Sequence, residues 1–540
     1  LTDKEKPQIL DYTLKMRADW ILKPKQNEIV DFLIKHPFAF NCAQTGIGKT
    51  ITSLTAAIHT YVNRKDDDIH FVLLLPGSAV KAFTDALGKV LGIPYNIYTA
   101  TTLNVMPDAR FHIFNYSTIG SGVFDKKNKK GDSISLQEAI SRNQYITRLM
   151  TLYKTHKNLW LIADEAHALQ DINTVQYRVV DGLRAMFIGM WLLTATPILN
   201  NLDGLFHMTD ILMPGFFGNI YRFRNKYCVL ETNIIYKYDR RKHARIPIKT
   251  TDVIGYKNLD HLSSEFEKIS IIRADEYDIR FNYRSAHLSE YMIKFYELAI
   301  KGLFSGKHIN TKIGKNGLPK KVTKKSKQEH AGARLHDMQR VVSNSHKDFQ
   351  ALNKDEITEK EYLLIQTILE VINRNEAVLI YFSYLETLAR VKYILNIIKN
   401  KFDIKTIHEI SGSIKLHERK IVESALKPRD IVLMTSAGTE SVNLQKANNL
   451  IFYEIPFALR QFIQACGRIA RTNSEYEIFN IYILEAVGTI DTYKKNRILM
   501  NSGPIKAVLG GSNILPVETL TINLADKAAM KDKFLWNPKL

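Results

Sequence analysis

Eight consecutive residues, Ala43-Gln44-Thr45-Gly46-Ile47-Gly48-Lys49-Thr50, set two glycines, a lysine and a hydroxyl at the spacing of a phosphate-binding loop. Gly46 and Gly48 leave no Cβ between the backbone and an anion. The loop's N–H groups, from Thr45 through Ile47 to Thr50, would cradle phosphates. Lys49 would reach the β- and γ-phosphates of ATP, and the Thr50 hydroxyl would ligate Mg²⁺. Ala43 stands where the usual pattern has glycine, so a plain glycine turn ahead of a helix is the competing reading. Asp164-Glu165-Ala166-His167 adds two adjacent acids. Asp164 suits a Mg²⁺ ligand and Glu165 a group that orients and polarises the attacking water, although acids at a strand end also serve as helix caps. Thr194 and Thr196 offer hydroxyls of the kind that relay between a nucleotide site and a neighbouring lobe. Gln26, upstream, has an amide that can pair with an adenine edge; a surface glutamine is the plainer alternative.

These groups need elements to hold them. Phe38 to Cys42 is a short apolar run ahead of the loop, and Ile51, Leu54, Ala57, Ile58 and Tyr61 recur at helical steps after it. Strand, turn and helix in that order form the setting that a phosphate loop requires. Phe71 to Leu75, Phe111 to Phe114, Leu159 to Ala163 and Met190 to Leu193 read as further buried strands. The third of these five strands ends in Asn115-Tyr116-Ser117, the fourth in the acid pair and the fifth in Thr194-Ala195-Thr196-Pro197. Parallel α/β sheets place catalytic groups at such carboxyl ends. A second alternation comes after an amphipathic helix over residues 354–373: Val378 to Ser383, Ile404 to His408, Ile431 to Met434, Leu450 to Tyr453 and Phe479 to Leu484.

Thr194 to Leu202, with Leu205-Phe206 and Pro214-Gly215-Phe216-Phe217-Gly218, resembles the Swi/Snf-like branch of the superfamily-two helicases, and within it the compact annealing-helicase type. The DEAH-box acids fit the same pattern. Ile410-Ser411-Gly412-Ser413, Ser436 to Leu444, Gln464 to Arg471 and Gly488-Thr489-Ile490-Asp491 are similar to that family's second-lobe motifs. The resemblance implies an α/β protein of two RecA-like parallel-sheet lobes in tandem, with a helical, basic insertion between them. It places the first lobe in 1–250, the connecting region in 251–353, the second lobe in 354–510 and a C-terminal extension in 511–540. It further implies that ATP lies between the lobes, that Arg468 and Arg471 act on its γ-phosphate, and that His167, Thr194, Thr196 and Gln464 couple the lobes. Asn115, Tyr116, Ser413, Ser436 and Gly438 are then expected to contact nucleic acid. Thr439, Ser441, Ala470 and Thr472 to Ser474 depart from the family pattern, and Phe83 replaces a customary tryptophan. These changes bear on how DNA contact is coupled to hydrolysis.

Charge points the same way. Lys and Arg number 75 against 55 Asp and Glu, a formal charge of +20, so a polyanionic partner is expected. Residues 301–327 hold nine lysines, among them Lys320, Lys321, Lys324 and Lys325, and no acid. That run reads equally as a solvated loop or as a grip on phosphates. Arg240, Arg241, Lys242 and Arg245 form a smaller basic cluster. Cys42, Cys228 and Cys466 lack metal-ligand spacing, which gives no zinc site and suits a reducing compartment. With no long apolar run, the expectation is a soluble intracellular protein, cytoplasmic in a bacterial host or a virus-infected cell, that makes no use of a membrane. The expected activity is ATP-dependent translocation on, or remodelling of, duplex or branched DNA in repair, recombination or fork processing. A strand-separating DNA or RNA–DNA helicase, a viral ATPase acting on transcription complexes and a hydrolysis-dead clamp are the alternatives.

Overall fold

The computed structural model describes residues 22–509 apart from 45, 65–67, 101, 107–108, 121–142, 199–200, 240–243, 275–277, 301–330, 345–355, 437–441, 443 and 471–473. The expectations for Thr45, Gly438, Arg471, Lys320, Lys321, Lys324, Lys325 and the stretch 511–540 lie outside the described residues. The described residues form two compact units that divide between Ala274 and Asp278, and the last helix from Pro504 onward belongs with the first.

The strands in chain order are β1 Phe38–Asn41, β2 Ile69–Leu75, β3 Tyr95–Tyr98, β4 Leu103–Asn104, β5 Phe111–Asn115, β6 Asn158–Asp164, β7 Phe187–Leu193, β8 Cys228–Asp239, β9 Ala244–Tyr256, β10 Ser270–Ile271, β11 Asp278–Ala286, β12 Val378–Phe382, β13 Ile407–Ile410, β14 Ile431–Thr435, β15 Asn449–Phe452 and β16 Ile478–Ala486. The first unit holds a sheet of order β10-β1-β7-β6-β2-β5-β3-β4, parallel except for the β3–β4 pair. The second holds a six-stranded sheet, β11-β16-β15-β12-β14-β13, with every pair parallel. Both are the two-faced sheets that continuous apolar runs produce, because helices cover each side. All seven residues of β2 are buried, as are all five of β12.

Register fixes the ends of the site strands. Asn41 of β1 pairs with Leu193 of β7, and Leu193 pairs with Asp164 of β6. The three strands therefore finish level, and the segments after them leave the sheet at its carboxyl end. Gly189 of β7 makes this register possible, since it lies opposite Trp160 and a Cβ there would overlap the indole. Trp160 in turn meets Trp191 edge to face, with centroids 5.0 Å apart.

The stretch 251–353 is not wholly helical: it contains the end of β9, all of β10 at one edge of the first sheet and all of β11 at one edge of the second. β10 has two residues, too few for any periodicity. β11, Asp278 to Ala286, alternates charged and apolar residues, which an edge strand tolerates because one side remains near water. β8 and β9 form a separate two-stranded antiparallel ribbon. Among the described residues no helix is long and apolar enough to cross a membrane.

Candidate active site

The loop after β1 is shaped by backbone that only glycine adopts easily. Gly46 has φ 102° and Gly48 φ 103°, and a Cβ on Gly48 would lie 2.8 Å from Gln26 Nε2. Gly48 precedes the helix Lys49–Asn63, whose first N–H groups have no carbonyl partner within the helix. Lys49 Nζ donates to Ala43 O at 2.9 Å, folding the ammonium back over the loop. Gln26 is half-buried, donates from Nε2 to Ile47 O at 2.6 Å and accepts from Lys23 N at 2.9 Å. It therefore braces the loop and is not a free surface glutamine.

At the end of β6, Asp164 is 9% exposed. Burial and the adjacent Glu165 push its carboxyl up to about 7, while Lys49 and a backbone hydrogen bond pull it down. A buried aspartate beside a half-buried glutamate, with too little nearby positive charge, fits a hard divalent cation, and Asp164 and Thr50 offer the oxygen ligands that Mg²⁺ takes. Glu165 sits in left-handed backbone, φ 49° and ψ 47°. His167 lies on a one-turn 3₁₀ helix, Ala166–Leu169, and its Nδ1 is 3.1 Å from Glu165 Oε2.

Thr194 is fully buried at the end of β7, and its Oγ1 accepts from Thr196 N at 3.1 Å. Lys49, Thr50, Asp164, Glu165, His167, Thr194 and Thr196 thus gather at the carboxyl end of one sheet's strands. Asn115 ends β5 at the same end of the sheet and caps the next turn, accepting from Ser117 N at 2.9 Å. Tyr116 departs from the expected contact with nucleic acid: its ring is buried. Burial, then Asp164 and Glu165, hold its hydroxyl well above the ordinary phenol range.

In the second unit Gln464 is half-buried on the helix Leu459–Cys466. Arg468, also half-buried, lies in the turn beyond it, and its Nη1 donates to Val442 O at 3.1 Å. Ser413 is exposed, with Oγ 2.7 Å from Ser411 Oγ. Ser436 hydrogen-bonds Tyr381, whose hydroxyl burial pushes up.

Three supports escaped the sequence reading. Asn41 Oδ1 accepts from Ala43 N at 3.2 Å, turning the chain out of β1. Backbone after β10 flanks the loop, with Gln44 N donating to Arg273 O at 2.8 Å and Lys25 Nζ to Ala274 O at 2.7 Å. Gln170 Nε2 donates to Pro197 O at 2.9 Å and so holds the Thr194–Pro197 turn. For Gln170 the signal was its place three residues after His167.

Asp68, His70 and His156 also bring ligand atoms within 4.8 Å of one another at the opposite end of the sheet. Arg110 Nη1 occupies that space, 3.0 Å from Asp68 Oδ1 and 2.8 Å from His70 Nε2. A guanidinium there repels a metal ion, and the group is a hydrogen-bonded array that continues from His70 Nδ1 to His112 Nε2 at 2.8 Å.

Residues 26–378 match the SNF2-related domain, and residues 360–473 match the helicase conserved C-terminal domain. The uncharacterized ATP-dependent helicase YqhH of Bacillus subtilis is 22% identical over 351 residues, 62% of this chain and 56% of that protein. The DNA repair and recombination protein RDH54 of Saccharomyces cerevisiae is 22% identical over 435 residues, 74% of this chain and 42% of its own length. The chain thus spans about half the length of the curated relatives it matches. The Sulfolobus solfataricus SWI2/SNF2 ATPase core in complex with dsDNA covers 92% of this chain at 16% identity, with a TM-score of 0.35. The SNF2-related match extends over well more than half of the chain and includes the phosphate loop, the acid pair and the threonine turn, so the chain belongs to the SNF2-related family.

Proposed function

We propose that the chain is an ATP-driven motor that translocates on, or remodels, duplex DNA. The observation that carries this is the level ending of β1, β7 and β6 at Asn41, Leu193 and Asp164, which brings a phosphate loop, a threonine turn and an acid pair to one end of the sheet. Phosphoryl transfer needs positioning and charge neutralisation more than covalent chemistry, and these residues supply both. Mg²⁺, held by Thr50 and Asp164, would contribute neutralisation of phosphate charge. Gly46, Gly48 and the helix N-terminus bind the phosphates, and Lys49 adds its ammonium. Glu165 orients a water, with His167 beside it to fix the carboxylate. Arg468 and Arg471 of the second lobe complete the γ-phosphate contacts. A correctly placed arginine of this kind is worth ~10³ to 10⁵ in rate.

Duplex DNA is the favoured track because the chain carries +20 formal charge and because a relative is named for DNA repair and recombination. A triplex-displacement assay run beside a strand-separation assay tests the reading. Displacement of a third strand with ATP, without separation of the duplex, is expected. Strand separation without translocation on intact duplex would replace translocase by helicase, and activity in neither assay would sink the motor.

A further inference from the structure

β8, with 12 residues, and β9, with 13, form a ribbon roughly 40 Å long at ~3.4 Å per residue. Its base is anchored. Cys228 is buried, Lys257 N donates to Tyr227 O at 2.9 Å, and Tyr227 packs on Phe223 with centroids 5.0 Å apart. Beyond the base the ribbon has two faces of different chemistry. Register pairs Thr232 with Thr251 and Ile234 with Lys249 and sets Pro247 in the same alternation, so these five residues share one face. None of them is acidic.

Glu231 and Asp252 fall on the other face, where Asn233 Nδ2 lies 3.3 Å from Glu231 Oε2 and 3.1 Å from Asp252 Oδ2. On the acid-free face Thr232, Ile234, Lys249 and Thr251 are all exposed. The connecting residues 240–243 lie outside the described residues, and the face is defined without them.

We propose that this acid-free face binds the sugar-phosphate backbone of duplex nucleic acid. Hydroxyls and cations without acids are the side chains that phosphate contacts use, and a two-stranded ribbon has the cross-section that a major groove admits. The opposite face, with Glu231 and Asp252, is repelled by the same polymer and sets the orientation. A protein partner is less well suited, since Ile234 is the one large exposed apolar residue among the described positions of this face.

The inference rests on the DNA-motor reading and adds a contact to it. The test compares two variants with the same charge change on opposite faces, Lys249→Glu and Lys237→Glu, in the full chain. Binding to one duplex is titrated between about 50 and 200 mM salt. If Lys249 neutralises one phosphate, Lys249→Glu flattens the slope of log affinity against log salt by about 0.9, which is roughly threefold less loss of affinity over that range. Lys237→Glu keeps the wild-type slope, and both keep wild-type ATP hydrolysis without DNA, which reports intact folding. A wild-type slope in Lys249→Glu overturns the proposal and leaves the face to a protein partner. Equal flattening in both variants overturns the assignment of one face. Wild-type protein that fails to bind duplex at all is a failure of the motor reading instead.

Discussion

Glu165 holds a backbone conformation, φ 49°, that residues other than glycine rarely adopt, and it holds it between a buried aspartate and a buried histidine. Such strain persists only where surrounding structure imposes it, and it gathers at functional sites. The phosphate loop, the acid pair and the threonine turn were legible in the sequence because each joins distinctive residue types to the end of an apolar run. Asn41 and Gln170 were not: an asparagine that turns the chain two residues on carries no distinctive pattern, and Gln170 acts on Pro197, which only the folded chain brings near. The buried histidines yield a prediction at this scale. Burial, then His156 and Arg110, push His70 down to about 3, with Asp68 opposing; burial, then His70, His156 and Arg110, do the same to His112. Unfolded, each titrates near ~6.5. The unfolded chain therefore takes up protons first as pH falls, and stability present above about 6.5 is lost progressively toward 3. At ~1.4 kcal/mol per unit the loss reaches several kcal/mol. Urea midpoints at a series of pH values should show it, and the double variant His70→Gln, His112→Gln should flatten the profile. An unchanged profile in that variant would place the acid sensitivity elsewhere.

Among the elements, β7 is the one on which the site's geometry depends most, since it lies between the loop strand and the acid strand and runs directly into Thr194. Gly189→Ala sets a methyl into the Trp160 ring, and overpacking in a close-packed core costs typically ~1 to 3 kcal/mol. The first lobe should melt earlier and ATP affinity should fall with it. Wild-type melting of Gly189→Ala would show that Trp160 can move away. Gly189 was visible as a glycine inside a strand, which often marks a close approach, but its partner was not. The six strands of the second sheet divide the same way: four were legible as apolar runs. The expected strand Ile404 to His408 overlaps β13 only at Ile407 and His408 because β13 is of mixed polarity, and β11 is an edge strand of mixed polarity as well. The ribbon β8–β9 was rich in Ile, Tyr, Val and Thr and went unread because no core pattern accompanied it.

At the scale of the whole molecule, the proposed motor divides its chemistry: the first lobe holds the nucleotide and the second completes the reaction. Arg468→Ala and Arg471→Ala should each lower DNA-stimulated hydrolysis by ~10³-fold or more while ATP affinity stays near wild type. Normal turnover in both would confine the chemistry to the first lobe. The decisive measurement for a DNA-driven ATPase is steady-state hydrolysis by wild type and Glu165→Gln, each with and without duplex DNA, beside equilibrium ATP binding. Wild type should be strongly stimulated by DNA, and Glu165→Gln should bind ATP yet turn over at background with or without it. Turnover by Glu165→Gln at the wild-type rate, or a wild type indifferent to DNA, would overturn the motor reading.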